Sequence, residues 1–489
     1  MQSTPPVHPR LTAFVLLAVG GLVLIHLALG AAWIGADLLV FDGDEAGHVG
    51  AAELLAAMWS EGRFLDAIGT TFAGKLGVYP PLYAGLVGGW WAMLGMGDPG
   101  RVAVQGINLA WPALTALAVA WLARPLGPRA VIAGVVAVLA LPLLCGLGRH
   151  FMIEGALTAA VAWCVVAVEY ARAKPSAGRL ALVGLALGLA WMFKQTAVLT
   201  LLPVLALRLP RRASSLAALG CALIVAGPWT LLNLGQQVGY GGESAAGTPG
   251  LGMLRHLAFY PWSLLWVAAG PPLAVLGLAG LAAGLDRREP GRRQALVVAS
   301  AWLIGSLLLL VLVPRKYPRL LAPALPAVAL LVAIAAARWR RGWAAWAVAL
   351  GLAAAVAWTG WGSLRALPVP VSARVLDDRC PQIWLRPPVV DDLGLAAVVD
   401  AVRHSRPGPV RVVGTAEIPC TLQTTHDWAS HLGPSLRYGG VDRELIQDPE
   451  DTRAAALVVS WEGPVEGYVG EPVAVPSLEG VLWIGRPER

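Results

Sequence analysis

Charged residues are scarce in this sequence. Only 14% of its 489 residues are Asp, Glu, Lys or Arg, whereas 57% are hydrophobic. The mean hydropathy is +0.65. Soluble globular domains carry about 25% charged residues, so this composition excludes that class for most of the chain. The apolar stretches are long enough to cross a bilayer and predict a polytopic membrane protein.

Two further absences narrow the class. The C-terminal segment has no glycine fingerprint, so we predict no nucleotide there. No internal repeat is visible along the chain, whereas secondary transporters are often built from repeats. The isoelectric point near 9.4 does not indicate nucleic acid binding, because lysines and arginines in a membrane protein are first explained by topology.

Cysteine is also rare, with five residues in the whole chain. Cys145, Cys164 and Cys221 fall in apolar stretches, where a thiol behaves as a small buried hydrophobe. Cys380 and Cys420 share the C-terminal segment and would pair in an oxidising compartment. The sequence leaves that pairing open.

Basic clusters distinguish the two sides of the membrane. Residues 11–36 are too long for the apolar core of a signal peptide and predict a retained first helix. We expect six basic clusters to face the cytoplasm, namely 8–10, 123–129, 171–179, 208–212, 286–293 and 338–341. We expect the segments that alternate with them to face the other side, namely 146–155, 193–196, 235–260 and 314–319.

Parity then sets the number of spans. An odd number of spans must separate the first outer loop from the basic cluster at 123–129, so segments 80–95 and 102–123 cannot both cross the membrane. We assign 102–123 as the span and 80–95 as a helix at the interface. Both ends of 180–209 are basic, which predicts a hairpin of two short helices with Lys194 at its apex. About eleven transmembrane helices result, and the odd number places the C terminus outside.

The composition changes near residue 364. We predict that residues 1–363 form a membrane module whose first outer loop covers 37–101. Beyond it, charges of both signs are frequent. A helix is predicted at 391–404, with strands at 409–415 and 455–460, so residues 364–489 are predicted to form a small soluble α/β domain on the outer side.

Ionisable residues gather on the predicted outer side. The first outer loop contains FDGDEAGHVGAAELL, a stretch that a solvated loop or a helix cap would also explain. However, charged residues interrupt other apolar runs on the same side, and such residues usually mark a pathway or a site. Carboxylates with separate cations suit chemistry on a phosphate-linked substrate. The candidates are Asp42, Asp44, Glu45, His48, Glu154, Lys194, Arg315, Lys316, Tyr317 and Arg319.

Four motifs resemble a family of membrane enzymes. DEAGHVGAAELL is similar to the first outer-loop motif of the C-type (GT-C fold) integral membrane glycosyltransferases, in particular the family 39-like protein O-mannosyltransferases and aminoarabinose transferases. VYPPLYAGLVGGWW, GLALGLAWMFKQT and RKYPRLLAPALP resemble that family's Pro-Pro-Leu helix start, its Gly-Leu-Ala and Lys segment, and its late Arg-Tyr and Pro segment. The resemblance covers residues 10–340. It implies an all-α GT-C membrane module that uses a polyprenyl-phosphate sugar on the periplasmic or luminal face.

The resemblance also implies roles for the two acids of the first motif. Asp44 matches the first acid and would be the base that takes a proton from the acceptor hydroxyl, with Glu45 beside it. Asp42 is an alternative base. Glu154 would orient the acceptor or, with Asp44, help to hold a divalent cation if one is used.

Cations would stabilise the lipid phosphate as it leaves. The candidates for this role and for donor binding are Lys75, Lys194, Arg315, Lys316, Tyr317 and Arg319. His48 and Tyr79 stand where the family often has an aromatic residue and a lysine, so the resemblance does not identify the donor sugar.

These features predict a hexosyl- or pentosyltransferase of the bacterial inner membrane. Its acceptor would be an envelope lipid, glycan or protein. A lipid or solute transporter, or a non-catalytic partner in an envelope assembly complex, would also fit the composition. The lack of repeats and the position of the charges at one face favour the transferase over the transporter.

Overall fold

The protein is described by a computed structural model. It covers residues 9–38, 43–95, 101–210, 215–245, 252–286, 289–339, 342–365, 367, 385–388 and 395–413, and, in the C-terminal sheet, residues 445–446, 455, 457–461, 464–465, 468–475 and 480–487.

Long apolar helices make this a multi-pass membrane protein. Six of the described helices are long and apolar enough to cross a bilayer: α1 (Pro9–Ala36), α5 (Arg101–Ala123), α8 (Ile153–Ala173), α11 (Ser215–Leu232), α15 (Pro290–Val311) and α17 (Gly342–Leu364). Two bent pairs raise the number of spans to as many as eight. One joins α13 (Met253–Ser263) and a π-turn (Leu264–Ala268) to α14 (Gly270–Gly284), and the other joins a 3₁₀ turn (Pro318–Ala324) to α16 (Pro326–Arg338).

Shorter helices connect these spans. They are α2 (Gly43–Ser60), α3 (Phe64–Phe72), α4 (Leu82–Leu94), α6 (Pro128–Leu139), α7 (Pro142–Leu147), α9 (Ala177–Phe193), α10 (Ala197–Arg208) and α12 (Leu234–Ala245), with a 3₁₀ turn at Arg124–Leu126. Two short helices, α9 and α10, lie where the hairpin was predicted, and Lys194 ends α9 in an extended conformation. Their arrangement as a membrane hairpin stays a prediction. Eleven spans would require α6, α9 and α10 to cross as well, so that number stays a prediction.

Small residues allow the helices to pack closely. Gly184 and Gly188 of α9 lie against α11, where an added methyl group would collide with Ala218 and Val225. The two glycines are therefore packing residues. Cys145, Cys164 and Cys221 lie in helices and are buried or half-buried, as predicted.

Residues of the predicted cytoplasmic clusters meet at one end of the helix bundle. Arg208 donates two hydrogen bonds of 2.6 Å to the Glu169 carboxylate, which also accepts one from Gln294. Asp286 lies between Arg292 and Arg338, at 3.5 and 3.6 Å. Arg208, Arg292 and Arg338, one residue from each of three predicted cytoplasmic clusters, are therefore paired with acids.

The C-terminal segment contains a five-stranded sheet. A helix, α18 (Leu395–Arg403), precedes strands β1 (Val410–Val413), β2 (Leu445–Ile446), β3 (Leu457–Ser460), β4 (Tyr468–Val475) and β5 (Gly480–Pro487). The strand order is β2-β1-β3-β5-β4. β1 is parallel to β2 and β3, with Val410 opposite Leu457, whereas β5 is antiparallel to β3 and β4.

The predicted α/β character of this segment is confirmed, since α18, β1 and β3 lie where the sequence placed them. The hairpin of β4 and β5 was not predicted. Gly470, Glu471 and Pro472 interrupt the strand pattern of β4, and all three residue types are depleted in strands. Cys380 and Cys420 lie outside the described residues, so their pairing stays a prediction.

Candidate active site

The start of α2 is tied to the segment that precedes α8. Glu45 lies in the first turn of α2 and is 5% exposed. Its Oε1 accepts a 2.7 Å hydrogen bond from the backbone N–H of Phe151 and lies 3.2 Å from His150 Nδ1. The Asp-Glu motif is thereby joined to the second predicted outer segment. Asp44 is the preceding residue of the helix, its side chain is outside the described part, and Asp42 is not described.

Three charged residues from three predicted outer segments meet at Glu154, three residues after Phe151 in the chain. Glu154, in the first turn of α8, is 1% exposed. Its Oε1 accepts a 2.7 Å hydrogen bond from Lys194 Nζ and lies 3.5 Å from Arg319 Nε. Lys194 and Arg319 are each 6% exposed. The convergence that the sequence predicted is therefore present as one carboxylate between two buried cations.

Aromatic rings connect this charged group to α2. Lys194 Nζ lies 4.8 Å from the centroid of the Tyr79 ring, a distance typical of cation–π attraction. The Tyr79 ring is 5.5 Å from the His48 ring, which in turn is 5.4 Å from the Tyr83 ring. His48 and Tyr79, which stand at the two departures from the family pattern, are thus neighbours.

A cavity of about 190 Å³ lies beside this row of rings. It lies between α2, the Pro-Pro turn and the first residue of α8. Its volume is below the range of about 300–1,000 Å³ for sites that hold a whole drug-sized ligand, so it suits only part of a substrate. The lining residues are Gly47, His48, Ala51, Leu76, Gly77, Val78, Tyr79, Pro80, Pro81, Tyr83, Ala84 and Ile153.

Residues of the RKYPRLLAPALP motif also lie at the site. The guanidinium carbons of Arg315 and Arg319 lie 5.5 and 5.0 Å from the centroid of the Tyr317 ring. Arg319 also approaches Glu154. The Tyr317 ring therefore lies close to two guanidinium groups, one of which belongs to the buried charge group.

Lys316 has a different environment from its neighbours. Its Nζ donates hydrogen bonds of 3.0 and 2.9 Å to the carbonyls of Leu310 and Val311, in the last turn of α15, and lies 4.9 Å from the Tyr260 ring centroid. Burial lowers the pKa of Lys316 to about 8. A cation that satisfies the free carbonyls of a helix end has a structural role.

Lys75 also lies apart from the charge group. It is in the turn that follows α3, its side chain is exposed, and it has no charged partner among the described residues.

Two groups of functional interest were missed in the sequence. Asn108 of α5 accepts hydrogen bonds from Tyr83 Oη at 2.8 Å and from Trp111 Nε1 at 3.2 Å. A lone asparagine within an apolar run was a signal that could have identified it.

The second missed group surrounds Trp33. Its ring lies 5.5 Å from His150, and the Arg386 and Arg149 guanidinium carbons lie 4.9 and 5.2 Å from its centroid. Arg386 forms a bidentate pair with Asp37, at 2.7 and 3.0 Å. No sequence pattern could connect residues 349 positions apart.

The described side chains do not fit a divalent cation. They contain no group of three or more His, Cys, Asp or Glu residues that could ligate one. Glu154, one of the two predicted ligands, is already paired with Lys194 and adjacent to Arg319. A metal ion there would have to overcome repulsion from both cations.

Comparison with solved structures identifies the fold. ArnT from Cupriavidus metallidurans bound to undecaprenyl phosphate is similar over 97% of this chain and 98% of its own, with a TM-score of 0.62 and 15% sequence identity. The apo state of the same protein gives a TM-score of 0.61. An oligosaccharyltransferase of Archaeoglobus fulgidus shows a weaker likeness, with a TM-score of 0.42 and 13% identity over 76% of this chain and 56% of its own.

The chain therefore has the fold of ArnT, the GT-C fold that its four motifs predicted. No family model and no curated protein matches it by sequence.

Proposed function

We propose that this protein transfers a sugar from a polyprenyl-phosphate donor to a hydroxyl group of an acceptor. The observation that carries this proposal is the group formed by Glu154, Lys194 and Arg319. These three residues come from separate predicted outer segments and meet at one buried position. The fold, shared with a protein whose structure holds undecaprenyl phosphate, supports the proposal.

In the proposed reaction, the acceptor oxygen attacks the anomeric carbon of the sugar. The hydroxyl proton passes to the Asp44 carboxylate, a bond forms between the acceptor oxygen and the anomeric carbon, and the bond from that carbon to the phosphate oxygen breaks. The lipid phosphate leaves with the bonding electron pair. An alcohol is a poor nucleophile until a positioned base removes its proton, which is why the reaction requires a carboxylate here.

The leaving phosphate needs positive charge rather than an acid. We assign this role to Arg319 and Arg315, which both lie near the Tyr317 ring, and to Lys194, which shares Glu154 with Arg319. Guanidinium groups suit this task because they form paired, charge-assisted hydrogen bonds with phosphate oxygens. We do not include Lys316 and Lys75 among the residues that bind the phosphate, because Lys316 caps α15 and Lys75 has no charged neighbour in the described part of the chain.

Glu154 has one carboxylate oxygen available for a substrate. Its Oε2 is buried and has no hydrogen-bond partner among the described residues, although Oε1 is bound by Lys194. Buried carboxylate oxygens are rarely left without a donor. We propose that Oε2 accepts a hydrogen bond from a hydroxyl or ammonium group of the donor sugar, beside the cavity that His48 and Tyr79 line.

The proposed setting is the bacterial inner membrane, with the site on the periplasmic side and an envelope lipid, glycan or protein as acceptor. Residues 1–363 would be the membrane module and residues 364–489 a periplasmic domain. The basic clusters at the opposite end of the bundle support this orientation.

The test uses mass spectrometry of polyprenyl-phosphate sugars and envelope glycans from cells with and without the protein. We expect one glycan to lose a sugar and the matching donor to accumulate when the protein is absent. If neither changes, or if donor moves across the membrane without a glycosylated product, the proposal is wrong.

Two adjacent variants test the assignment of the base. Asp44→Asn should reduce transfer by about 10²–10⁴, because an amide cannot accept the proton. Glu45→Gln should retain most activity, since its amide oxygen can still accept the hydrogen bond from Phe151. Equal losses in both variants would contradict a distinct role for Asp44.

A further inference from the structure

A second cavity lies on the other side of Trp33 from Glu45. Its volume is about 470 Å³, and its walls are almost entirely apolar. They come from α1, α6, α7 and α17 and from Pro388 beyond the membrane module. The lining residues are Leu22, Ile25, His26, Leu29, Ala32, Trp33, Val136, Leu139, Ala140, Cys145, Arg149, Val356, Thr359, Gly360, Ser363, Leu364 and Pro388. We call this cavity the α1–α17 groove.

The α1–α17 groove belongs to the face of the protein that meets lipid. Only 11% of the apolar window of α1 and 17% of that of α17 are buried, compared with 83% in α8. Ile25 and Leu29 are exposed at 58% and 64%. Since these helices span the membrane, the material in contact with them is lipid.

Charge in the groove is confined to one position. Arg149 is the only charged residue of the lining. It donates a hydrogen bond of 2.9 Å to Ser363 Oγ and stacks on Trp33, but it pairs with no carboxylate among the described residues. Deeper in the groove, Nε2 of His26 is buried without a hydrogen-bond partner in the described part of the chain. The α1–α17 groove is thus apolar and carries a positive charge at one end. Among the described residues, it also contains one buried nitrogen, His26 Nε2, without a hydrogen bond.

The length of the groove matches one leaflet of a bilayer. Leu22 and Trp33 are eleven residues apart on α1, a distance of about 16 Å at 1.5 Å per residue. Half of the hydrocarbon core is about 15 Å thick. Arg149 and Trp33 lie at the end where Ala36 terminates α1, so the cation is at the mouth of the groove.

We propose that the α1–α17 groove binds one acyl chain of an anionic phospholipid, with the lipid phosphate at Arg149. The apolar walls accept the acyl chain, and the length suits a lipid of one leaflet. The Arg149 guanidinium, which has no carboxylate partner among the described residues, attracts the phosphate. The site is separate from the proposed donor site and does not depend on the transfer reaction.

A lipid bound in the α1–α17 groove would also be connected to the proposed active site through side-chain contacts. Arg149 stacks on Trp33, Trp33 contacts His150, and His150 lies next to Glu45. A lipid bound at Arg149 would therefore be linked, through Trp33 and His150, to the Glu45 side chain at the start of α2.

Photocrosslinking in vesicles tests the site. The full chain is reconstituted into phosphatidylcholine vesicles that contain a trace of phosphatidylglycerol with a diazirine on its acyl chain, and labelled peptides are mapped by mass spectrometry. We expect adducts concentrated on residues 22–33 and 356–364. Adducts spread evenly over all lipid-facing helices would overturn the proposal.

A pair of glycine variants separates the groove from the general lipid surface. An added Cβ meets nothing within 4 Å at Gly360 of α17 or at Gly220 of α11, which is not part of the groove. Gly360→Phe should fill the groove and remove most adducts there, whereas Gly220→Phe should leave them unchanged. Unchanged labelling in Gly360→Phe would overturn the proposal.

Arg149→Gln tests the headgroup. It should lower labelling by phosphatidylglycerol about tenfold, in keeping with a hydrogen bond to a charged group, and should change labelling by a phosphatidylcholine probe little. Equal effects on the two probes would contradict an anionic headgroup. Loss of the adduct on addition of excess undecaprenyl phosphate would show that the occupant is a polyprenyl lipid and overturn the assignment.

Discussion

Glu154, Lys194 and Arg319 form a group with one negative and two positive charges, all of them almost completely buried. Burying ions is costly, and a buried ion pair often contributes little to stability compared with apolar residues of the same size. The proposed role of the group in binding a ligand gives a reason for this burial that stability alone does not supply.

The pair of Glu154 and Lys194 allows stability to be separated from activity. Glu154→Gln leaves a buried ammonium group without its carboxylate, which should cost about 3–5 kcal/mol. Adding Lys194→Met removes that unpaired charge, so the double variant should unfold at a higher temperature than the single one while both remain inactive. Thermal unfolding in detergent, together with a transfer assay, measures both effects. A double variant that is less stable than Glu154→Gln would contradict the pairing.

Lys316 gives a prediction about pH. Because burial lowers its pKa to about 8, the unfolded chain binds more protons than the folded one between about pH 8 and the ordinary lysine value. The free energy of unfolding should therefore rise over this interval as the folded protein releases the proton first. The cost of the buried charge is fully present below pH 8.

The matched variant is Lys316→Met, which has no titrating group at this position. Its melting temperature should be lower than that of the unchanged protein, because it loses the hydrogen bonds to Leu310 and Val311. The difference should widen from pH 8 to pH 10. A difference that is constant over this range would show that the lysine does not titrate there.

At the scale of helices, small residues determine how closely neighbours approach. Gly184 faces the backbone of α11, so Gly184→Ala should force the two helices apart and cost about 1–3 kcal/mol. Gly220 lies on α11 with open space around it, and Gly220→Ala should be neutral or stabilising by up to about 1 kcal/mol, because alanine favours a helix. Melting temperatures of the two variants should change in opposite directions. A loss of similar size in both would contradict the packing.

Helix α2 shows how one element serves two purposes. Its first turn carries Asp44, the proposed base, and Glu45, which binds the backbone of Phe151. Successive residues of an α-helix are about 100° apart around its axis. We therefore expect the two acids of the motif to have different roles, a structural one for Glu45 and the proposed chemical one for Asp44.

At the scale of the whole molecule, the two ends of the bundle are chemically different. One end has acids and cations in a buried group with aromatic rings, and the other has arginines paired with Glu169 and Asp286. This asymmetry agrees with the positive-inside rule and supports the orientation proposed above.

Cysteine labelling tests that orientation. In a background whose five native cysteines are replaced by alanine, Ser60→Cys at the end of α2 should react from outside with a membrane-impermeant thiol reagent. Lys174→Cys, between α8 and α9, should react only after the membrane is opened. Both positions are exposed in the structure, so a missing reaction cannot be attributed to burial. The reverse pattern would invert the topology.

The sequence by itself determined the class of protein and predicted the residues of the charge group. These properties depend on composition and local order, because hydropathy selects spans and basic residues select a side. The alternation of basic clusters was sufficient to assign Glu154, Lys194 and Arg319 to one predicted side, and the structure shows that the three residues meet. The side of the membrane that they face stays a prediction.

Only the tertiary structure decided which of these residues act together. Lys316 and Arg319 are three positions apart, yet one caps α15 and the other approaches Glu154, because the backbone between them turns from a loop into a 3₁₀ helix. The pair of Asp37 and Arg386 and the groove behind Trp33 likewise depend on chain segments that are distant in sequence. Side-chain direction and long-range contact arise from packing in three dimensions, and a linear pattern of residue types contains neither.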